Sequence, residues 1–239
     1  RCAAVMTLGL EPVSESTALL NVMRRTLDRL GDDDQDGFPT RALLELAMGR
    51  LYRETGQVEA AVQHLDSVVA HARPDVDVAA RLQRALARFS HGEPGPGVFE
   101  HVAKSALNCS NQELAFRAFA VWSWALRLSG QPDQAVAVTD QALVALAGVG
   151  SPRGTGLVMS QKAGALADGG RVEEAACAYE SVLRRLQPHR WAEECPTVLV
   201  GLGDLRLLQG RPEEGLRLYR RLATYEGAGA SRAGKNDAS

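Results

Sequence analysis

Apolar residues recur along most of this chain at the three- and four-residue intervals of an amphipathic helix. The first stripe is Ala18, Leu19, Val22, Met23, Leu27 and Leu30, on one face of a helix from Ser14 to Leu30. The acidic run Gly31 to Gly37 ends it. A second stripe, Val78, Leu82, Ala85, Leu86 and Phe89, occupies Val76–Phe89. A third comprises Val98, Phe99, Val102, Ala103, Ala106 and Leu107. Between these two lies His91–Gly97, a run with three glycines and two prolines. Such a run cannot continue a helix and predicts a turn.

The remaining helical signal repeats. The segments Ala47–Leu65, Trp122–Thr139, Lys162–Tyr179 and Leu202–Tyr219 align on Gly56, Gly130, Gly170 and Gly210. The last three glycines are 40 residues apart, and the 74-residue gap after Gly56 fits two periods. Each glycine suits a left-handed cap that closes the first helix of a hairpin. Pro132 and Pro212 then stand at the start of the second helix, where a missing N–H does no harm. Glu59, Asp133, Glu173, Glu174, Glu213 and Glu214 fall in its first turn and suit the helix dipole. Ala61, Ala135, Ala175 and Gly215 lie five residues past the glycine, where two crossing helices need a small side chain. Leu65, Tyr179 and Tyr219 follow four residues later on the same face.

This pattern resembles the tetratricopeptide repeat. Gly49 and Tyr52 match the small and aromatic positions of that motif's first helix, Gly56 its turn, Ala61 the small position of its second helix and Leu65 the large partner. Leu126, Leu166 and Arg206 stand where the motif has tyrosine, and Arg206 departs most from it. The period exceeds the family's usual ~34 residues. In this it is similar to the helical-repeat regions of large bacterial ATP-binding regulators of the maltose-activator, LuxR and antibiotic-pathway types. The resemblance runs from about Thr40 to Glu226 and implies an all-α, right-handed α-solenoid of about five hairpins. Residues 1–39 would be a leading partial unit with the acidic loop, 40–226 the repeats, and 227–239 a flexible tail of small polar residues.

The resemblance also implies where a partner would sit. The first helix of each hairpin lines the concave surface, which places Arg50, Arg53, Arg117, Trp124 and Arg127 in or near a groove. Arginine and tryptophan are frequent binding hot spots, and such a groove suits an acidic peptide or carboxylate ligand. The function implied is a protein- or ligand-binding scaffold, the sensor region of a cytoplasmic bacterial transcriptional regulator. Its effector would bias ATP-binding and DNA-binding domains of the same full-length protein. The chain lacks an initiator Met and reads as a piece of such a protein. The alternatives are a stand-alone peptide-clamping scaffold or co-chaperone and a helical enzyme. Near-absence of lysine, present only at Lys104, Lys162 and Lys235, argues against the family's carboxylate clamp.

Composition narrows the chemistry further. Apolar residues make up 45% of the chain and charged residues 23%, enough to build a core. A net charge of −2 lacks the basic excess of a free-standing nucleic-acid binder. No apolar run reaches the ~18 residues of a membrane span. Cys2, Cys109, Cys177 and Cys195 have no paired spacing and read as reduced, mostly buried thiols. The five histidines, at 64, 71, 91, 101 and 189, do not cluster and read as surface residues. The loop at His91–Gly97 has no following lysine and loses donors to proline, so a phosphate cradle is not expected. Gly201-Leu202-Gly203 reads as close helix packing rather than a dinucleotide loop, which needs a preceding strand. The acidic run has Gly37 sixth from Asp32 but Leu43 twelfth, so it fits a solvated loop better than a calcium site. No catalytic residue, metal or cofactor is expected.

Overall fold

A computed structural model describes residues 13–30, 38–69, 73–92, 95–186 and 195–236. Among these residues the regular structure is eleven α-helices, with no strand. The chain forms two compact units, residues 1–94 and 95–239. The division falls within the Gly/Pro-rich run His91–Gly97.

Unit 1 holds α1 (Val13–Leu30), α2 (Phe38–Glu54), α3 (Val58–Val69) and α4 (Pro74–Phe89). Helices α2 and α3 form a hairpin, α1 packs on α2, and α4 packs on both helices of the hairpin. The core joins Leu20, Met48, Tyr52, Ala61 and Ala87. Helix α1 contributes Leu20, Met23 and Leu27, while Leu19 and Val22 of the expected stripe are 52% and 59% exposed. One neighbouring hairpin covers only a narrow face of α1, and residues spaced three and four apart around Leu20 fill it. Residues 1–12 and the acidic run 31–37 lie outside the described residues.

Unit 2 holds α5 (Gly97–Ala106), α6 (Gln112–Leu128), α7 (Pro132–Ala145), α8 (Pro152–Asp168), α9 (Val172–Leu186), α10 (Cys195–Leu208) and α11 (Pro212–Asn236). The pairs α6/α7, α8/α9 and α10/α11 are hairpins, and each second helix also packs on the first helix of the next hairpin. One core runs from Ala163 and Leu166 of α8, through Ala175, Tyr179 and Val182 of α9, to Leu199 and Leu202 of α10. Helix α11 continues to Asn236, into the stretch whose composition reads as an unfolded tail. Ala228, Ala230 and Ala233 favour helix there, and no proline interrupts it. Residues 237–239 lie outside the described residues.

The turns follow one rule. Gly56, Gly130, Gly170 and Gly210 have φ of +70° to +77°. The amide after each glycine donates to the carbonyl five residues back: Gln57 to Tyr52, Gln131 to Leu126, Arg171 to Leu166 and Arg211 to Arg206, at 2.8–2.9 Å. This is the Schellman closure, which satisfies carbonyls a helix end leaves bare. Gly92 adopts the same conformation, with φ +88°. The gap therefore contains a fifth turn glycine, and the spacings are 36, 38, 40 and 40 residues. In sequence order α4 precedes Gly92 and α5 follows it.

Helix crossings occur at the residues seven before and five after Gly56, Gly130, Gly170 and Gly210. A Cβ on Gly49 would lie 3.2 Å from the Ala61 carbonyl and 2.5 Å from Leu65. Buried Ser123 donates to the Ala135 carbonyl at 3.3 Å. A Cβ on Gly215 would lie 3.1 Å from the Gly203 carbonyl. Ala163 and Ala175 are fully buried at the corresponding positions. Gly201 and Gly203 sit against the rings of Tyr179 and Tyr219, which bears out close packing as the reason for that glycine pair.

Candidate functional site

The first helices of the hairpins stack on one another: α2 on α4 in unit 1, and α6 on α8 and α8 on α10 in unit 2. Among the described residues, no second helix of unit 2 touches another second helix. The first helices of unit 2 are therefore the closely spaced row that lines its inner face. Arg50 and Arg53 lie on α2 of unit 1, and Arg117, Trp124 and Arg127 on α6 of unit 2. Counted from the turn glycine, Arg50 and Trp124 are equivalent, six residues before it, and Arg53 and Arg127 are equivalent, three before it. Arg117 lies seven residues before Trp124, on the same helical stripe.

The equivalent arginines make equivalent contacts. Arg53 Nε donates to Gln83 Oε1 of α4 at 3.0 Å. Arg127 Nη1 donates to Gln161 Oε1 of α8 at 3.2 Å, and its Nε pairs with Asp168 at 2.7 Å. Gln83 and Gln161 both lie nine residues before their own turn glycines, and both are buried. The Arg127 guanidinium also lies on Gly164, where any Cβ would overlap it. Each arginine thus ties its inner helix to the next one, using charge-assisted bonds to a buried amide. An arginine three before one glycine and a glutamine nine before the next could have revealed this pair in the sequence, but only with Gly92 in the alignment.

The other three residues are placed differently. Arg50 is largely exposed and pairs with Glu54 along its own helix at 2.9 Å. Arg117 is exposed on α6, and Trp124 is half-buried. Trp122 turns inward, 8% exposed, and its ring lies 6.1 Å from Phe119. The inner face of α6 therefore offers a cation and an indole, with Leu128 beside them 63% exposed.

Some polar groups depart from expectation. His64 is not a plain surface residue: it stacks on Tyr52 with ring centroids 5.1 Å apart and bonds buried Glu45 at 2.5 Å. Tyr52 in turn accepts from Arg24 at 2.6 Å, so this chain of polar groups fastens α1, α2 and α3 together. His91 and His101 are exposed, as expected, and positions 71 and 189 lie outside the described residues. Cys109 is a buried thiol that donates to the Ser105 carbonyl, whereas Cys177 is a thiol on the surface, because its helical position faces away from the core. Burial pushes the Tyr179 hydroxyl pKa up. A hydrogen bond to Asp204 at 2.5 Å pushes that of Tyr219 up to about 12. Among the described residues no three His, Cys, Asp or Glu side chains gather in a metal-binding group. No described helix is long and apolar enough to cross a membrane.

Inner helices in register, second helices packed against the next hairpin and left-handed glycine turns define a tetratricopeptide-like helical-repeat fold. Solved structures agree. The chain is similar to BtubC (BKLC) from P. vanneervenii, with TM-score 0.70 and 13% identity over 91% of this chain and 92% of that one. It is also similar to the nearly identical TPR-like repeats of a putative kinesin light chain from Podosopora anserina, with TM-score 0.60 and 19% identity over 81% of this chain and 98% of that one. A third likeness is to aspartyl phosphate phosphatase F from Bacillus subtilis, with TM-score 0.64 and 8% identity over 92% of this chain and 58% of that one. At these identities the likeness is one of fold. No protein-family model matches the sequence, and no curated protein matches it.

Proposed function

We propose that this chain is a protein-binding repeat scaffold, and that the inner helices carry its binding surface. The supporting observation is that the first helix of a hairpin carries an exposed Arg50 in unit 1 and, separately, an exposed Arg117 and a half-buried Trp124 in unit 2. In unit 2, Arg117 and Trp124 lie seven residues apart on one stripe of α6. Arg53 and Arg127 serve the inner helices from beneath, since their bonds to Gln83 and Gln161 fix the spacing of adjacent inner helices. A cation and an indole on one stripe of α6 suit a peptide that carries a carboxylate and an apolar or aromatic side chain. The role is binding rather than catalysis.

The broader setting we infer is the effector-sensing region of a cytoplasmic bacterial transcriptional regulator, where partner binding biases ATP-binding and DNA-binding domains. The long repeat spacing supports it. Such a region works by population shift, so the effector must bind one arrangement of the helices more tightly than another. The experiment is affinity capture from lysate of the source organism with the parent chain and with Arg50→Ala, Arg117→Ala and Trp124→Ala combined. A partner held by the parent and lost by the variant is expected. A partner retained equally by both would refute this surface. An identified partner that neither binds nor regulates a DNA-binding protein would remove the regulatory setting while keeping the scaffold.

A further inference from the structure

The repeat pattern breaks at Arg206. Four residues before Gly56, Gly130 and Gly170 stand Tyr52, Leu126 and Leu166, all buried; before Gly92 stands Arg88, which is exposed, and before Gly210 stands Arg206. Arg206 is nevertheless 8% exposed. It pairs with Glu180 of α9, with Glu214 of α11 at 3.3 Å, and with Gln209 at 2.6 Å. A buried guanidinium needs such partners, because leaving its charge unpaired costs several kcal/mol.

This pairing changes the electrostatics around it. Glu180 stands four residues before Arg184, and Glu214 three before Arg217. These are the spacings at which helical carboxylates neutralise their neighbours. Arg206 draws both carboxylates inward instead, and Arg211 also bonds Glu214, at 2.7 Å. Among the described residues Arg184 donates a hydrogen bond to Ser181 at 3.0 Å and has no ion-pair partner. Arg217 and Arg221 have no ion-pair partner among the described residues, and all three are exposed.

These groups line one cleft of about 410 Å³ between α9 and α11, floored by α10. Leu202 of α10 forms the apolar floor, with Leu183 of α9 and Leu218 of α11 at the foot of either wall. Four arginines face two glutamates there, a local excess of +2 in a chain whose net charge is −2. Arg217 and Arg221 stand one helical turn apart, about 6 Å along α11.

We propose that this cleft is a second binding site, for an acidic peptide segment with an apolar side chain between its carboxylates. The carboxylates pair with Arg217 and Arg221 on one wall and Arg184 on the other. The apolar side chain rests on the leucine floor. Arg206 does not touch the peptide; it is a positioning residue that keeps Glu180 and Glu214 away from the rim. The site is formed by α9, α10 and α11, independently of the α2 and α6 residues of the inner surface.

The test is fluorescence anisotropy of a labelled Glu-Glu-Leu-Glu-Glu peptide with the full chain, against the neutral Gln-Gln-Leu-Gln-Gln peptide. The acidic peptide should bind, the neutral one should not, and added salt should weaken binding. Arg217→Gln with Arg221→Gln should weaken it roughly tenfold or more, the loss expected for two charge-assisted contacts. Arg206→Tyr restores the residue type of the repeat and should retain the helical circular dichroism. It should still lower affinity, because Glu180 and Glu214 then turn to the rim arginines. The combined Arg50→Ala, Arg117→Ala and Trp124→Ala variant should bind as the parent does. Absence of binding, equal binding of the neutral peptide, or parent-like binding by the Arg217/Arg221 variant would overturn the site. Loss of binding only in the inner-surface variant would also overturn it, while leaving the scaffold reading intact.

Discussion

Single residues here hold the stack together through shape as much as through attraction. Arg127 lies flat across α8 because Gly164 offers no Cβ, and Gln161 and Asp168 stand on either side to receive its donors. Replacing Arg127 with Met keeps much of the aliphatic packing but leaves buried Gln161 without this donor. The expected cost is about 1–2 kcal/mol, since an unsatisfied buried amide is penalised in full. A urea melt measures it. A double-mutant cycle with Gln161→Met should return a coupling of ~1 kcal/mol, and additive effects would show that the clamp contributes nothing. Tyr219 gives a second prediction, in pH. Its pKa is raised to about 12, chiefly by the bond to Asp204, from the ordinary 10.0. The folded state therefore favours the protonated phenol. That contribution is fully present below pH 10 and is lost as the pH rises through about 12. Tyr219→Phe should remove the phenolate absorbance that appears near pH 12 in an alkaline titration, and should flatten the stability loss in that window.

At the level of the element, the turn glycines and the crossing glycines fail in different ways. Gly170 has φ +74° with open space where a Cβ would go, so Gly170→Ala suffers only backbone strain. That strain is about 1–2 kcal/mol. Gly203 is helical, and a Cβ there would meet the Tyr219 ring at 2.9 Å. Gly203→Ala must displace a ring already held by Asp204, and the helix propensity of alanine returns at most ~1 kcal/mol. Thermal melts should show both variants destabilised, with the Tyr219 titration altered only in Gly203→Ala. The hairpins were legible in the sequence because glycine, proline and small residues recur at fixed offsets, and each offset has a local cause. Gly92 was hidden because the run that holds it, with two prolines and two further glycines, reads as a loop rather than as a helix cap. The inner-surface residues could be assigned to helices from register alone. Which of them hold the scaffold and which face a partner depends on side chains 30 or more residues away, as Arg53–Gln83 and Arg127–Gln161 show. The cleft at Arg206 announced itself only as a break in the pattern, since the two glutamates that rescue the buried charge lie on different helices.

For the whole molecule, repeats that touch only their neighbours predict local failure. Ala175 is fully buried where α9 crosses α8, facing Ala163 in the same core. An indole there cannot be accommodated without moving one helix off the other, and overpacking of a close crossing costs ~3 kcal/mol or more. In a single globular core that loss would spread through every element. In a repeat stack stability is a sum of unit and nearest-neighbour contributions, so damage decays with distance along the array. Unit 1 has its own core around Met48, Tyr52 and Ala61, which includes no residue of α8 or α9. Hydrogen exchange of Ala175→Trp should therefore show lost protection in α8 and α9, with weaker losses in α6 and α10, while α2 and α3 exchange as in the parent. Uniform loss across both units would show that the chain unfolds as one cooperative body. Parent-like exchange in α8 and α9 would show that the crossing lies elsewhere, and the repeat register with it.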